Sequence, residues 1–201
     1  MTWQFPVALI LAYVLGSVPT GLLIGKLLRG IDIREQGSGN IGATNTLRVL
    51  GKPAGVTALV LDIGKGYAAV TALAALASLG RSPLSLPMMR VCLGIAAIAG
   101  HNWTVFLRFK GGKGVATSAG VFLGISWLSL VIAVAVFAVL VMATRIVSVG
   151  SMSGAVALPV AMWALRAERE FVVFAIVAAA LVVMRHRSNI GRLIRGEENR
   201  F

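Results

Sequence analysis

The chain alternates long apolar stretches with short polar segments along its 201 residues. Most of the apolar stretches approach the roughly 20 residues that a helix needs to cross a bilayer. The pattern therefore predicts an all-α integral membrane protein, with residues 1–201 forming a single membrane domain. The predicted helices cover residues 3–25, 54–79, 86–107, 114–126, 127–144, 149–165 and 170–185.

The first apolar stretch resembles a transmembrane helix more closely than a signal peptide. No basic segment precedes it, and no cleavage pattern of small residues follows it. Residues 3–25 are therefore expected to stay in the protein as one continuous helix.

Residues 114–144 decide how many spans the chain has. These 31 residues are too many for one ordinary helix and too few for two full ones. Two crossings place 14 Lys and Arg residues on the cytoplasmic side and 4 on the other, whereas one crossing gives 10 and 8. Because cytoplasmic loops carry an excess of Lys and Arg, seven transmembrane helices with a short fourth helix are predicted. The amino terminus then lies outside and the carboxyl terminus in the cytoplasm.

Composition supports a membrane protein and excludes several classes of ligand. Hydrophobic residues make up 58% of the chain and charged residues 13%, with a mean hydropathy of +0.89. The net charge of +12 is scattered among apolar spans instead of lying along one soluble face, so a nucleic-acid partner is not expected. The single cysteine, Cys92, lies in an apolar stretch, and neither a metal site nor a cofactor is predicted.

Residues 37–48, here called motif 1, form a polar insert with three glycines. Glycines let successive backbone N–H groups converge on an anion, and the polar side chains add further donors. The spacing also fits the dinucleotide pattern G-x-G-x-x-G, but a membrane helix stands where that motif requires a strand. Motif 1 is therefore predicted to hold a phosphate group. Its candidate ligands are Gly37, Ser38, Gly39, Asn40, Gly42, Thr44, Asn45 and Arg48.

Residues 101–117, here called motif 2, place three cations around a run of glycines at the start of the short fourth helix. The run is not a Walker A loop, because Gly114 stands where that loop needs Ser or Thr. Cations and a glycine turn at a helix start suit a second phosphate, although a basic membrane anchor is the alternative. The candidate ligands are His101, Asn102, Lys110, Gly111, Gly112, Lys113, Gly114 and Thr117.

Residues 186–197, here called motif 3, follow the last span. Basic tails of this kind often anchor to lipid headgroups. His186 and Asn189, three residues apart, share a face and point into the site if the last helix continues. Arg192 is a further candidate ligand, and Glu197 is expected to pair with a nearby arginine. Ser148 in the preceding polar link, or alternatively Ser151, is also a candidate.

Asp62 and Lys65 lie three residues apart inside the second span. Ionisable residues within a membrane are either functional or paired with each other. We predict a structural ion pair that supports the site.

Together these segments resemble the membrane acyl-phosphate:glycerol-3-phosphate acyltransferases of bacteria, the PlsY family. The resemblance rests on motifs 1 to 3 in order and on Asp62, Lys65 and Gly66. It implies a seven-helix enzyme that transfers a fatty acyl group from acyl phosphate to the 1-hydroxyl of glycerol 3-phosphate. The products are lysophosphatidic acid (1-acylglycerol 3-phosphate) and phosphate, at the first step of phospholipid synthesis.

The resemblance also implies a location and partners. The enzyme belongs in the bacterial cytoplasmic (inner) membrane, with its site on the cytoplasmic face of the lipid bilayer. A separate soluble synthase supplies the acyl phosphate, and neither acyl carrier protein nor coenzyme A is the direct donor. Between the two loops, the resemblance favours motif 2 as the site of glycerol 3-phosphate.

An acyl phosphate is already activated, so the protein mainly has to position two phosphates and stabilise an oxyanion. The chain offers no credible Ser-His-Asp arrangement, and the predicted catalytic residues are Ser38, Arg48, His186 and Asn189. Which motif holds which phosphate stays open. Either a histidine or the donor's own phosphate oxygen takes the proton, and the second route is favoured because no acidic residue lies near either histidine in the sequence.

Two other functions fit the same residues. An anion transporter would also need phosphate-binding loops, but the chain shows no inverted repeat and its polar motifs cluster on one predicted face. A lipid-binding protein without turnover is the third possibility.

Overall fold

The computed structural model describes residues 3–200, and within that range every regular element is a helix. This confirms the all-α prediction. The chain divides into two compact units: unit 1 is Met1–Gly124 and unit 2 is Ile125–Phe201. The α-helices are α1 (Gln4–Ser17), α2 (Thr20–Arg29), α3 (Ala43–Leu50), α4 (Lys52–Val70), α5 (Ala72–Ser78), α6 (Leu86–Asn102), α7 (Val115–Ile125), α8 (Trp127–Thr144), α9 (Val147–Ala164), α10 (Arg169–Arg185) and α11 (Arg187–Ile194).

Among residues 3–200, four helical segments are long and apolar enough to cross a membrane, namely Lys52–Ser78, Leu86–Leu107, Trp127–Thr144 and Val147–Ala164. Two bent pairs, α1 with α2 and α10 with α11, raise the number to six if each pair is one span. The shorter apolar helix α7 has 11 residues and lies where the short fourth helix was predicted.

The first apolar stretch is not one continuous helix, and that prediction was wrong. It breaks after Ser17, and α2 leaves α1 at an angle of 45°. The cause is Pro19, which has no N–H to donate and whose ring obstructs the preceding turn. The freed carbonyl oxygens accept hydrogen bonds inside the protein, Ser17 from Thr104 Oγ1 and Val18 from Lys65 Nζ. Irregular backbone at membrane depth is tolerated only with such partners.

Small residues let the helices of unit 1 approach backbone to backbone. A Cβ at Gly16 of α1 would collide with the Ala97 carbonyl oxygen of α6, and one at Gly66 of α4 would collide with the Thr117 carbonyl of α7. Lipid tails are as apolar as the side chains of a span, so the hydrophobic effect does not drive helices together within a bilayer. Close packing between small residues stabilises their association instead. The apolar cluster of α1, α4, α5 and α6 comprises Phe5, Ala8, Ala12, Ala69, Ala74, Ala77, Met89, Leu93 and Ala97.

In unit 2, α9 packs against both α8 and α10. Gly150 and Gly154 face α8, because a Cβ on either would lie within 3 Å of an α8 carbonyl oxygen. The chain bends by 55° between α10 and α11 at His186. The last helix therefore does not continue straight through motif 3. The prediction that His186 and Asn189 share one face required a continuous helix.

Candidate active site

Asn45 holds the first half of motif 1 in place. Its buried side chain donates from Nδ2 to the carbonyl oxygens of Ile33 (2.8 Å) and Gln36 (3.1 Å), and its Oδ1 accepts from the Ser38 N–H (2.8 Å). A Cβ at Gly37, whose φ is +61°, would collide with that Oδ1. Asn45 was predicted as a phosphate ligand, but these hydrogen bonds give it the role of clamping the loop.

The second half of motif 1 is the start of α3. Gly42 precedes the helix and donates its N–H to Asn40 Oδ1 (2.8 Å), so Asn40 closes the turn. Thr44 in the first turn is half-buried, and Arg48 is exposed one turn later on the same side. The positive end of the helix dipole and the Arg48 guanidinium both favour an anion here.

Helix α2 sets the position of motif 1. A Cβ at Gly21 would collide with the carbonyl oxygen of Ile41, and one at Gly25 would lie 2.7 Å from Cγ2 of Ile33. The backbone of α2 therefore lies directly against the loop. The bend after α1 thus determines where motif 1 lies.

An ion pair closes the turn between α2 and motif 1. Arg34 Nη2 lies 2.6 Å from Asp32 Oδ2, and the Arg34 N–H donates to Asp32 Oδ1. The hydrogen bond from the Arg34 side chain lowers the pKa of Asp32 to about 2. Because the Arg34 side chain is 41% exposed, the pair orders the turn but adds little stability.

The predicted ion pair of Asp62 and Lys65 is present and includes a third residue. Lys65 Nζ lies 2.8 Å from Asp62 Oδ1 and 2.9 Å from His101 Nδ1, and all three side chains are at least 95% buried. The Thr20 hydroxyl donates to Asp62 Oδ1 (2.7 Å). His101 thus has an acidic residue nearby, 3.7 Å away, that its own sequence neighbourhood does not show.

The glycines of motif 2 fold back onto the end of α6. Gly111 and Gly112 donate their N–H groups to the carbonyl oxygens of Asn102 (3.2 Å) and His101 (3.0 Å). A Cβ at Gly112 would collide with Nε2 of His101. These N–H groups were predicted to face a phosphate, and that role is corrected: they satisfy carbonyl groups at the helix end, which otherwise have no partner in the helix.

Lys110 precedes the two glycines, and Lys113 and Gly114 follow them, just before α7. Lys110 is exposed and Lys113 half-buried. Gly114 has a φ of +80°, and its missing side chain leaves room for Asn102 Oδ1. Lys110 and Lys113 near the start of α7 form an anion-binding arrangement that does not need the N–H groups of Gly111 and Gly112.

Asn102 and Thr117 are completely buried polar residues beside this turn. Within residues 3–200, neither the amide of Asn102 nor the hydroxyl of Thr117 has a hydrogen-bond partner. An unpaired buried polar group costs about 1–3 kcal/mol, so it is rarely kept for stability alone. Both residues were predicted to lie at the site.

Motif 3 is organised by Glu198, a residue that the sequence analysis missed. Its side chain is 5% exposed and accepts hydrogen bonds from Ser148 Oγ (2.8 Å), Arg192 Nε (2.7 Å) and Asn189 Nδ2. Burial raises the pKa of Glu198, but the hydrogen bonds from the same three residues outweigh it and hold the pKa below its ordinary value. The carboxylate is therefore charged at neutral pH and orients all three.

Glu197 does not support the site. It forms an ion pair with Arg195 (2.7 Å) in which both side chains are more than half exposed. The prediction of an arginine partner is confirmed, but the supporting role belongs to its neighbour Glu198. Residue type and spacing do not distinguish two adjacent glutamates, and only the turn at Gly196, with φ of +72°, determines which one faces inward.

His186 is 3% exposed and its ring is fixed by the backbone. Nδ1 lies 2.7 Å from the Val182 carbonyl oxygen, and because a carbonyl only accepts, Nδ1 carries the proton. Asn189 lies one turn further on in α11. Ser148 and Ser151 are both buried on the same side of α9.

The chain is similar to known proteins over almost its whole length. A family model described as glycerol-3-phosphate acyltransferase matches residues 6–196. A glycerol-3-phosphate acyltransferase of Geotalea daltonii is 47% identical over 97% of this chain and 96% of the relative. One of Desulforamulus reducens is 44% identical over 93% and 90%.

Solved structures agree with the sequence relatives. The glycerol 3-phosphate form of PlsY, an integral membrane glycerol 3-phosphate acyltransferase, superimposes with a TM-score of 0.88 at 36% identity, covering 98% of this chain and 95% of that one. The lysophosphatidic acid form gives a TM-score of 0.86 with the same coverage. From these matches and the three motifs, we conclude that the chain belongs to the glycerol-3-phosphate acyltransferase family of integral membrane enzymes.

Proposed function

We propose that this enzyme transfers a fatty acyl group from acyl phosphate to the 1-hydroxyl of glycerol 3-phosphate. The products are lysophosphatidic acid and inorganic phosphate, and the reaction opens phospholipid synthesis. One observation carries the proposal: unit 1 holds two helix starts with cations close by in the chain, that of α3, whose last turn carries Arg48, and that of α7, which Lys110 and Lys113 precede. Two phosphorylated substrates require two such sites.

The seven-span topology is part of the proposal. The four long spans, the two bent pairs and the short helix α7 together make seven. With the amino terminus outside, 14 of the Lys and Arg residues lie on the cytoplasmic side and 4 on the other. The enzyme then lies in the cytoplasmic membrane of a bacterium, and its site faces the cytoplasm, which contains soluble glycerol 3-phosphate.

The substrate contacts are assigned from the loops. Ser38, Thr44 and Arg48 bind the phosphate of one substrate, together with the backbone of motif 1. Lys110 and Lys113 bind the other, which we assign as glycerol 3-phosphate. In unit 2, His186 and Asn189 are assigned as catalytic residues, and Glu198 keeps Asn189, Arg192 and Ser148 in fixed orientations.

The chemistry needs no covalent enzyme intermediate. The 1-hydroxyl oxygen attacks the acyl carbon, a new C–O bond forms, and the bond from that carbon to the phosphate oxygen breaks. Donors around the site stabilise the oxyanion of the tetrahedral intermediate. The hydroxyl proton passes to an oxygen of the leaving phosphate, which ends as inorganic phosphate.

His186 is a positioning group in this route. Its Nδ1–H donates to the Val182 carbonyl oxygen, which leaves the Nε2 lone pair to accept a hydrogen bond while the leaving phosphate takes the proton. Substitution of His186 should therefore lower turnover equally at all pH values. Recovery of the lost activity by added imidazole would instead identify the histidine as the base.

The defining experiment is direct. Purified protein in lipid or detergent is incubated with acyl phosphate and glycerol 3-phosphate, and lysophosphatidic acid is measured, with acyl coenzyme A and acyl carrier protein as competing donors. We expect product from acyl phosphate alone, which a separate soluble synthase would supply in the cell. Folded protein that makes no product would refute the proposal, and glycerol 3-phosphate flux into proteoliposomes without product would establish a transporter.

A further inference from the structure

The break between α1 and α2 is tied to two other helices by buried polar contacts. Lys65 of α4 donates to the Val18 carbonyl oxygen (3.1 Å), and Thr20 donates to Asp62, also of α4. Thr104, just after α6, donates to the Ser17 carbonyl oxygen. The backbone groups freed by Pro19 are thus held by residues far away in the chain.

Lys65 lies at the centre of these contacts. An ammonium group has three N–H donors, and three acceptors surround Nζ: Val18 O at 3.1 Å, Asp62 Oδ1 at 2.8 Å and His101 Nδ1 at 2.9 Å. A charged Lys65 has only donors, so in that state Nδ1 of His101 accepts from it and carries a lone pair and no proton. A neutral His101 therefore carries its proton on Nε2.

The other side of the His101 ring supports motif 2. Nε2 lies where a side chain on Gly112 would be, so the glycine loop rests on the ring. The break after α1 directs α2, and α2 lies against motif 1 at Gly21. One buried cluster therefore contacts the supports of both anion-binding loops.

We propose that Lys65, with Asp62 and His101, is a positioning element for acyl transfer. It fixes motif 1 and motif 2 at the separation that the two phosphates need, and it holds His101 as a neutral Nε2–H donor beneath the glycine loop. The inference rests on the proposed function, because positioning has meaning only where two phosphorylated substrates react. A simple structural ion pair would give stability alone, without this effect on turnover.

The two roles separate in a charge-neutral double variant. Lys65→Met alone leaves Asp62 buried without its counter-ion and is expected to unfold at a lower temperature. Lys65→Met combined with Asp62→Asn removes both charges and should recover most of the unfolding midpoint. Its kcat/KM for glycerol 3-phosphate should stay about 100-fold low, since a shift of about 1 Å in a reacting group has that effect. Lys52→Met, an exposed change in the same helix, is the matched control.

Three results are decisive. A double variant that recovers activity along with stability overturns the positioning role. Thr20→Val, which removes a single contact to Asp62, provides a milder test should the double variant not fold, and normal activity in it would also count against the inference. Wild-type protein that forms no product refutes the proposed function, and the positioning inference falls with it.

Nitrogen NMR of protein labelled with ¹⁵N-histidine tests the tautomer directly, because the chain has two histidines. We expect opposite neutral tautomers, with the proton on Nε2 in His101 and on Nδ1 in His186. The His101→Asn variant assigns the signals. A proton on Nδ1 of His101 would overturn the inference.

Discussion

Ser148 donates a 2.8 Å hydrogen bond to Oε1 of Glu198, fifty residues later in the chain. The same carboxylate accepts from Asn189 and Arg192, so one buried charge connects the start of α9 to α11. Removing one partner of such a group leaves the others buried and unpaired, which costs more than the hydrogen bond itself contributes. Substitutions at Glu198 should therefore affect both activity and stability.

Glu198→Gln should lower turnover at least tenfold and reduce the thermal unfolding midpoint in detergent. Glutamine keeps the shape but loses the charge that pairs with Arg192, and it cannot accept three hydrogen bonds as strongly. The matched control is the adjacent Glu197→Gln, an exposed position that should stay within twofold of wild type. Equal effects at both positions would mean that the tail is arranged differently.

The stability of unit 2 should depend on pH through Glu198. Because hydrogen bonds hold its folded pKa below the ordinary 4.5, its stabilisation is complete above that value and disappears as the pH falls through the folded pKa. Between about pH 6 and about pH 3, the wild-type unfolding midpoint should fall further than that of Glu198→Gln. Parallel curves for the two proteins would contradict this.

Arg48→Ala should lower kcat/KM by on the order of 100-fold, as expected for loss of a charged donor to a phosphate and its developing charge. Arg48→Lys should recover only part of the activity, because lysine cannot form the bidentate contact. Arg29→Ala, an exposed arginine at the end of α2, serves as control and should be near normal. Near-normal activity in Arg48→Ala would show that the anion site lies elsewhere.

Gly112→Ala should raise KM for glycerol 3-phosphate about tenfold or more, since the new Cβ collides with His101 Nε2 and displaces the loop. Gly64→Ala is the control, because a Cβ there meets nothing within 4 Å. Alanine favours a helix over glycine by about 0.5–1 kcal/mol, so this control should unfold at an equal or higher temperature. Substrate titration at fixed acyl phosphate measures the difference.

Helix positions were predictable because a span requires a long apolar run, and the run is visible in the sequence. The break after Ser17 was not predicted, although Pro19 indicated it. Its stability depends on Thr104 and Lys65, which lie 87 and 47 residues away along the chain. Local sequence does not show such partners.

The glycines and cations of the loops are visible in the sequence, but the contacts that individual residues make are only partly predictable from it. Glycine either exposes an N–H to a ligand or lets two backbones approach, and composition does not separate these uses. Gly111 and Gly112 serve the second use, against the end of α6. Asn45, three residues after Gly42, is a similar case, because an asparagine side chain suits a loop clamp as well as a ligand.

The short length of α7 has a consequence for the substrates. Eleven residues of helix extend only about 16 Å, roughly half the hydrocarbon thickness of a bilayer. In the proposed topology, α7 therefore leaves roughly half of the bilayer depth uncrossed, and the polar residues of motif 2 directly precede it in the chain. This arrangement suits a reaction between a hydrophilic acceptor and a donor whose fatty chain stays in the lipid.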